Sequence, residues 1–351
     1  MIFNILKVKP DLIEKAKSSL FKDLRGKKFW DPAGFVPSVD DAASNASKDY
    51  AKYLYLRKYP SVIWKWLGIF IGCFVFLFFL FVFLDLFFVN FLLVILFFIF
   101  LFAAFSNLRK VQRSVVKIEV ANENNFLFLK ESSAQRWKKY KDLYPEIFNR
   151  GDDSQRVEDC FWGIVDVGKS KVSFVSGIFH FVTVSYDSRG RQSRHPYWFN
   201  FFIAKLPSEI NSRFFLYPEG VFSKIKNFFS KKKVHTSSVD FNKTFAFKYK
   251  GKKSEKELDI LKVLSPRVQE ELLRLNAYKR KSFGFFKRKT SGISVLFTRD
   301  SVVFFMPGKV IKKGKTNFLK SPSINEADKV YLNKELEFMV NISNDISKYL
   351  D

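Results

Sequence analysis

The feature that most limits what this chain can become is an apolar run at 67–105, LGIFIGCFVFLFFLFVFLDLFFVNFLLVILFFIFLFAAF. As one helix it would be about 58 Å long, against a bilayer hydrocarbon core of about 30 Å. Two helices of about 20 residues fit that thickness. Asp85 and Asn90 are the strongly polar residues inside the run, and they bracket a short turn. The pattern predicts a transmembrane hairpin with helices at 63–84 and 91–108. In it Asp85 and Asn90 end the helices near the far headgroups rather than acting at mid-membrane. A run this long does not suit a soluble core. It also starts too late, and lacks the cleavage site, for a signal peptide.

The flanks orient the hairpin. Arg57, Lys58 and Lys65 precede it; Arg109, Lys110, Arg113 and Lys117 come after it; the turn carries no basic residue. Basic residues stay on the cytoplasmic side, which predicts both termini and the main domain at the cytoplasmic face of a bacterial inner membrane. Trp64 and Trp66, with Tyr55 and Tyr59 upstream, form an expected aromatic belt. Trp64, Trp66, Arg109 and Lys110 are the expected membrane-interface residues.

Charge supports an anionic partner without naming it. The 351 residues carry a formal net charge of +26, which favours anionic membranes or nucleic acid. The two cysteines, Cys73 and Cys160, make no disulfide framework, which suits a reducing compartment. A His/Cys metal site would need nearly all of His180, His195 and His235. No metal or other cofactor is expected.

The chain divides into three regions. Residues 1–60 form a cytoplasmic lead. It has an amphipathic helix at 11–24 (Leu12, Ile13, Ala16, Leu20 and Leu24), a linker DPAGFVPSVDDAASNAS, and a second helix at 46–57. These pieces are too small to make a core of their own. The hairpin occupies 61–109. The cytoplasmic domain at 110–351 reads as α+β with a mostly antiparallel sheet. Its strand signals are SVVKIEV, FWGIVDV, KVSFVSG, IFHFVTVSY, YWFNFFIAKL, RFFLYP, FNKTFAFKY, and the pair GISVLF and SVVFFMP around the turn TRD. Helices are expected across SAQRWKKYKDLYPEIF, after the N-cap Ser265 with Pro266 in the first position, and over 326–349.

GIVDVGKSK, 163–171, has the letters of a phosphate-binding loop: Gly163, then Gly168-Lys169-Ser170. A true loop of that kind opens a helix after the Lys-Ser pair. Here the next residues are KVSFV, which alternate like a strand. A β-hairpin explains more, with Gly168-Lys169 as a two-residue turn. It pairs Val167 with Ser170, Asp166 with Lys171, Val165 with Val172, and Gly163 with Phe174. An aromatic then lies over a strand glycine.

EDCFWGIVDVGKSKVSF resembles the acidic pair, glycine, turn and strand of bacterial proteins grouped as domain of unknown function 3137. VDFNKTFAFKYKGKK, with Phe241, Lys243 and Phe245, and LKVLSPRVQEELLRL are similar to later segments of that family. The resemblance covers most of 60–310. It implies a short lead, two transmembrane helices and one soluble domain, and it implies no activity. This chain is more basic and more Phe-rich than that pattern.

Candidate sites have functional and bland readings. KRKSFGFFKRK (Lys279, Arg280, Lys281, Phe283, Phe285, Phe286, Lys287, Arg288 and Lys289) interleaves cations with aromatics. It suits an anionic lipid surface; single-stranded nucleic acid is disfavoured, and a plain helix-to-strand connection is the bland reading. FFSKKKVH at 228–235 and KVIKKGK at 309–315 extend the basic character or are solvated loops. DSRGRQSRH at 187–195, with Arg189, Arg191, Arg194 and His195, reads first as a hairpin loop and second as a phosphate or carboxylate binder. Asp152, Asp153, Glu158 and Asp159 read as capping and turn residues before acid–base groups.

The expected function is a non-enzymatic inner-membrane protein. It would hold a basic α+β domain at the cytoplasmic face to bind anionic headgroups or a protein partner. The alternative is a membrane-tethered nucleotide-binding enzyme using Gly163, Gly168, Lys169 and Ser170. A helix after Ser170 would favour the enzyme, and a strand there favours the binder.

Overall fold

The structure is a computed structural model that describes residues 8–84, 87–167, 170–218, 236–249, 259–282, 292–307 and 326–348. The lead begins with α1 (Pro10–Ser19) and a 3₁₀ turn (Lys22–Leu24), then α2 (Val39–Lys58). Ser38 caps α2 by accepting from the Asp41 N–H at 3.1 Å, so this helix starts well before the expected position 46. The lead makes no core of its own. Leu20, Phe21, Leu24, Ala42, Ala43 and Ala46 join the main core instead. The expected linker is a structural knot: the Asp31 carboxylate accepts from Tyr140 OH (3.0 Å), Trp162 Nε1 (2.9 Å) and Ala33 N (2.7 Å).

Two apolar helices come next, α3 (Pro60–Phe83) and α4 (Phe87–Glu123). The transmembrane part of the expected fold is corrected here: among the described residues, no helix is long and apolar enough to cross a membrane. The described apolar stretches, 67–84 and 88–103, each fall short of about 20 residues. Nor does α4 stop near 108; it is 37 residues long and runs on to Glu123, into the body. Its second half replaces the expected strand SVVKIEV. Val115, Val116, Ile118 and Val120 are buried there in helical form, because burial outweighs the weak strand preference of β-branched residues. Asn125 closes the helix in the left-handed conformation, and the Phe126 N–H reaches back to Ala121 O at 2.7 Å.

The body is built on an eight-stranded sheet in the order β1-β2-β3-β4-β8-β7-β5-β6, antiparallel at every step, as the α+β reading expects. The strands are β1 (Leu127–Ser133), β2 (Asp153–Val167), β3 (Ser170–Tyr186), β4 (Gln192–Lys205), β5 (Phe214–Pro218), β6 (Phe245–Tyr249), β7 (Ser294–Phe297) and β8 (Ser301–Pro307). KVSFVSG and IFHFVTVSY are one continuous strand, β3. Between the strands lie α5 (Ala134–Leu143), α6 (Pro145–Phe148), α7 (Val239–Thr244) and α8 (Pro266–Ser282), and α9 (Glu326–Lys348) comes after β8. FNKT forms most of α7 rather than the start of a strand.

The two faces of the sheet are covered differently. α5, α6 and the lead lie against the face carrying Trp162, Phe179 and Phe201; Tyr140 and Phe148 meet Phe201 edge-on at 5.5 and 5.3 Å. α4 and α9 cover the other face. There Lys117 of α4 pairs with Asp159, and Asn200 Nδ2 donates to Glu335 Oε1 of α9 at 3.1 Å. Lys329 of α9 binds Glu119 (3.4 Å) and Glu123 (2.6 Å) on α4, fastening the long helix to the body.

Candidate membrane-contact surface

The hairpin holds together through aromatic contacts and one amide. Phe70 lies 5.2 Å from Phe97 and 4.4 Å from Phe100, and Phe74 lies 4.1 Å from Phe97. Asn90 is buried near the start of α4. With its amide facing Nδ2 to Phe78 O and Oδ1 to Val82 N, both at 3.2 Å, it ties the helices together. The expectation that Asn90 ends a helix is therefore corrected, since α4 begins at Phe87. Asp85 lies outside the described residues.

The outer surface of the hairpin is apolar and uncovered. Phe83 is 87 % exposed, Phe102 75 % and Phe88 72 %, with Phe76, Phe79, Phe91, Leu96, Phe98 and Ile99 also open. Single exposed apolar residues are ordinary, but a continuous patch over two helices marks a contact surface.

A basic collar surrounds the neck. α2 and α4 meet there through Tyr53, Val111 and Val115. Arg57 and Lys58 at the end of α2, Lys65 in α3, and Lys110 and Arg113 in α4 are all exposed. Lys58 Nζ sits 5.4 Å from the Tyr59 ring, itself 5.2 Å from Tyr55. Of the expected interface residues, Trp64 and Trp66 fall in α3 and Arg109 in α4, beside the collar. Lys117, expected in the basic flank, is buried in its pair with Asp159.

The sheet register fixes which end of the body faces the hairpin. Phe126, just past α4, meets Phe174 at 5.1 Å, whereas Lys117 meets Asp159 on β2. Following α4 back toward the neck thus runs along β2 toward Asp153, the end where β3 and β4 turn. At that end β5 finishes at Pro218, β7 begins at Ser294 opposite Phe305, and β8 finishes at Pro307 opposite Phe199. Residues 219–235, 283–291 and 308–325 lie outside the described residues. Those segments hold FFSKKKVH, most of KRKSFGFFKRK, and KVIKKGK. Lys279, Arg280 and Lys281 lie in the last turn of α8. Phe283, Phe285, Phe286, Lys287, Arg288 and Lys289 lie outside the described residues.

The other candidates resolve into structural roles. β2 and β3 pair Val167 with Ser170, Asp166 with Lys171, Val165 with Val172, and Gly163 with Phe174, the expected register. Asp166 and Lys171 stand 3.8 Å apart. A Cβ on Gly163 would meet the Phe174 ring at 2.4 Å. A strand runs on from Ser170, so the helix that a phosphate loop requires is not there; Gly168 and Lys169 lie outside the described residues. Asp152 accepts from Val184 N at 2.7 Å, Asp153 pairs with Arg194, and Glu158 pairs with Arg156. His195 Nε2 lies 3.2 Å from Ser185 Oγ, and His180 Nδ1 3.1 Å from Ser154 O. Among the described residues no group of His, Cys, Asp and Glu could hold a metal ion.

Two buried polar features have no signal in the sequence. Arg136 NH1 lies 3.5 Å from Cys160 Sγ, and its guanidinium covers the Trp162 ring at 5.2 Å. Burial pushes the Cys160 thiol up to about 12, against a smaller downward pull from Arg136. Between α4, α9 and the sheet lies a cavity of about 20 Å³, lined by Lys117, Asp159, Ser176, Asn200 and Glu335 among others, with room for about one water.

No protein-family profile, curated protein or solved structure matches the chain.

Proposed function

We propose that this chain is a non-enzymatic membrane-anchored protein. The open apolar surface of its hairpin contacts the acyl region of a bilayer, and its basic collar presents the α+β body to anionic headgroups or to a protein partner. The observation that carries this reading is the open surface of α3 and α4, where large side chains such as Phe83 and Phe88 have no protein cover. Water would penalise that surface by about 25 cal/mol per Å², a cost that lipid tails remove. The collar adds electrostatic attraction, since each Lys or Arg near an anionic leaflet contributes about 1 kcal/mol. The anionic leaflet of such a membrane faces the cytoplasm, and this supports a cytoplasmic position for the body. The resemblance to the family of unknown function belongs to the same proposal.

The nucleotide-binding reading is disfavoured by the strand after Ser170. Purified protein should show no saturable ATP or GTP binding that Lys169→Ala abolishes. Membrane seating is tested by washing membranes from expressing cells in high salt and then alkaline carbonate. The protein should stay in the pellet through both washes, and release into the carbonate supernatant would overturn the proposal.

A further inference from the structure

β3 and β4 continue past the body as a two-stranded arm. From Phe199 onward β4 pairs with β8, but at 192–198 it pairs only with β3 among the described residues. All of 185–198 is exposed. The arm carries Tyr186 (69 % exposed) next to the turn; nearer the base Tyr197 (43 %) stacks on Phe181 at 5.3 Å and Trp198 (41 %) lies beside His180 at 4.9 Å, each still partly open. Its turn is tightly shaped: Asp187 Oδ1 accepts from Arg189 N (2.9 Å) and Arg191 N (2.8 Å), and Gly190 takes φ +73°. Arg189 and Arg191 are thereby fixed at the tip.

The arm projects toward the hairpin. Taking the Lys117–Asp159 pair as a common level, β3 has about 26 Å left from Ile178 to Tyr186, at about 3.3 Å per residue. α4 has about 10 Å left from Lys117 to Lys110. Along the axis of α4 the tip comes level with the collar even if strand and helix diverge by about 60°. Aromatic rings with cations at that level match the chemistry of a bilayer interface, where Trp and Tyr sit among headgroups and arginine binds phosphate.

We propose that this arm, with Arg189, Arg191 and Tyr186 at its tip and Tyr197 and Trp198 nearer its base, is a second contact with the anionic bilayer surface. It would fix the tilt of the body relative to the membrane. The inference rests on the hairpin being seated in a bilayer. The test uses full-length protein carrying Cys73→Ala, reconstituted in phosphatidylcholine vesicles with or without phosphatidylglycerol. A fluorescent thiol label is placed in turn at Ser188→Cys on the arm, Phe83→Cys on the hairpin and Lys171→Cys at the far end of the sheet. Acrylamide quenching is then read. With phosphatidylglycerol the Ser188 label should lose much of its quenching, and regain it when Arg189→Ala and Arg191→Ala are added. The Phe83 label should be shielded in both lipids and the Lys171 label in neither. A Ser188 label as quenchable as the Lys171 label, beside a shielded Phe83 label, overturns the arm contact alone and leaves the tip to a protein partner. A fully quenched Phe83 label overturns the anchoring and the arm contact together.

Discussion

Replacing Asp31 tests how the lead is attached. Its carboxylate serves three donors, of which Tyr140 and Trp162 are fully buried. Asp31→Ala leaves the Tyr140 hydroxyl and Trp162 indole N–H without their acceptor. Each orphaned buried group costs about 1–3 kcal/mol. The Ala33 N–H lies in a more open turn and adds less. The expected loss is about 2–6 kcal/mol, the upper end applying if no water enters. For a body of this size each kcal/mol lowers Tm by roughly 2–4 °C. Asp31→Asn should cost less, because its one carbonyl oxygen still serves part of the set. Asp40→Ala is the control: its pair with Arg25 is exposed, at 3.5 Å, and such pairs contribute about 0–1 kcal/mol. Thermal unfolding of purified protein, followed by tryptophan fluorescence, reads the shift. Limited proteolysis should show earlier cleavage within the lead. An Asp31→Ala protein that melts with the Asp40→Ala control would refute the account of Asp31 as the anchor of the lead.

Two further predictions concern the sheet. Gly163→Ala should destabilise by about 1–3 kcal/mol in the same assay, because its Cβ would overlap the Phe174 ring and that ring is held by Phe126 and Phe202. Cys160 should resist alkylation in the folded protein at pH 8.5. Its folded pKa of about 12 lies above the ordinary thiol value of 9.0, so its contribution to stability is complete below pH 9. That contribution falls by up to about 1.4 kcal/mol per pH unit between the two values. Comparing the alkaline melting curves with those of Cys160→Ala isolates this slope.

Much of the sheet is legible in the sequence because its signals are local. The Gly163 hairpin can be registered from one turn and four rungs, since a two-residue turn fixes every later pair. Ser265 and Pro266 mark the start of α8, and Val268 N does donate to Ser265 Oγ, at 3.4 Å. The misread elements share a different cause. SVVKIEV looks like a strand in isolation, yet it is helical because α4 enters from the hairpin unbroken and buries those residues. The linker has turn composition, and nothing nearby shows that Asp31 will meet Tyr140, 109 residues away. The end of the sheet that lies toward the neck is equally hidden. The strand ends at Pro218, Ser294 and Pro307, widely separated in sequence, come to one edge of the body only once the strand order is known. The apolar run itself is plain, but its division into two crossings assumes that its second helix ends near 108, and α4 does not end there.

The central claim is that α3 and α4 lie among lipid tails. Photolabelling the reconstituted protein with a hydrophobic diazirine confined to the acyl chains, then mapping adducts by mass spectrometry, tests it most directly. The account predicts adducts concentrated within 67–103, strongest at Phe76, Phe79, Phe83, Phe88 and Phe102, with the sheet unlabelled. Adducts spread evenly over the body, or a hairpin without them, would contradict it.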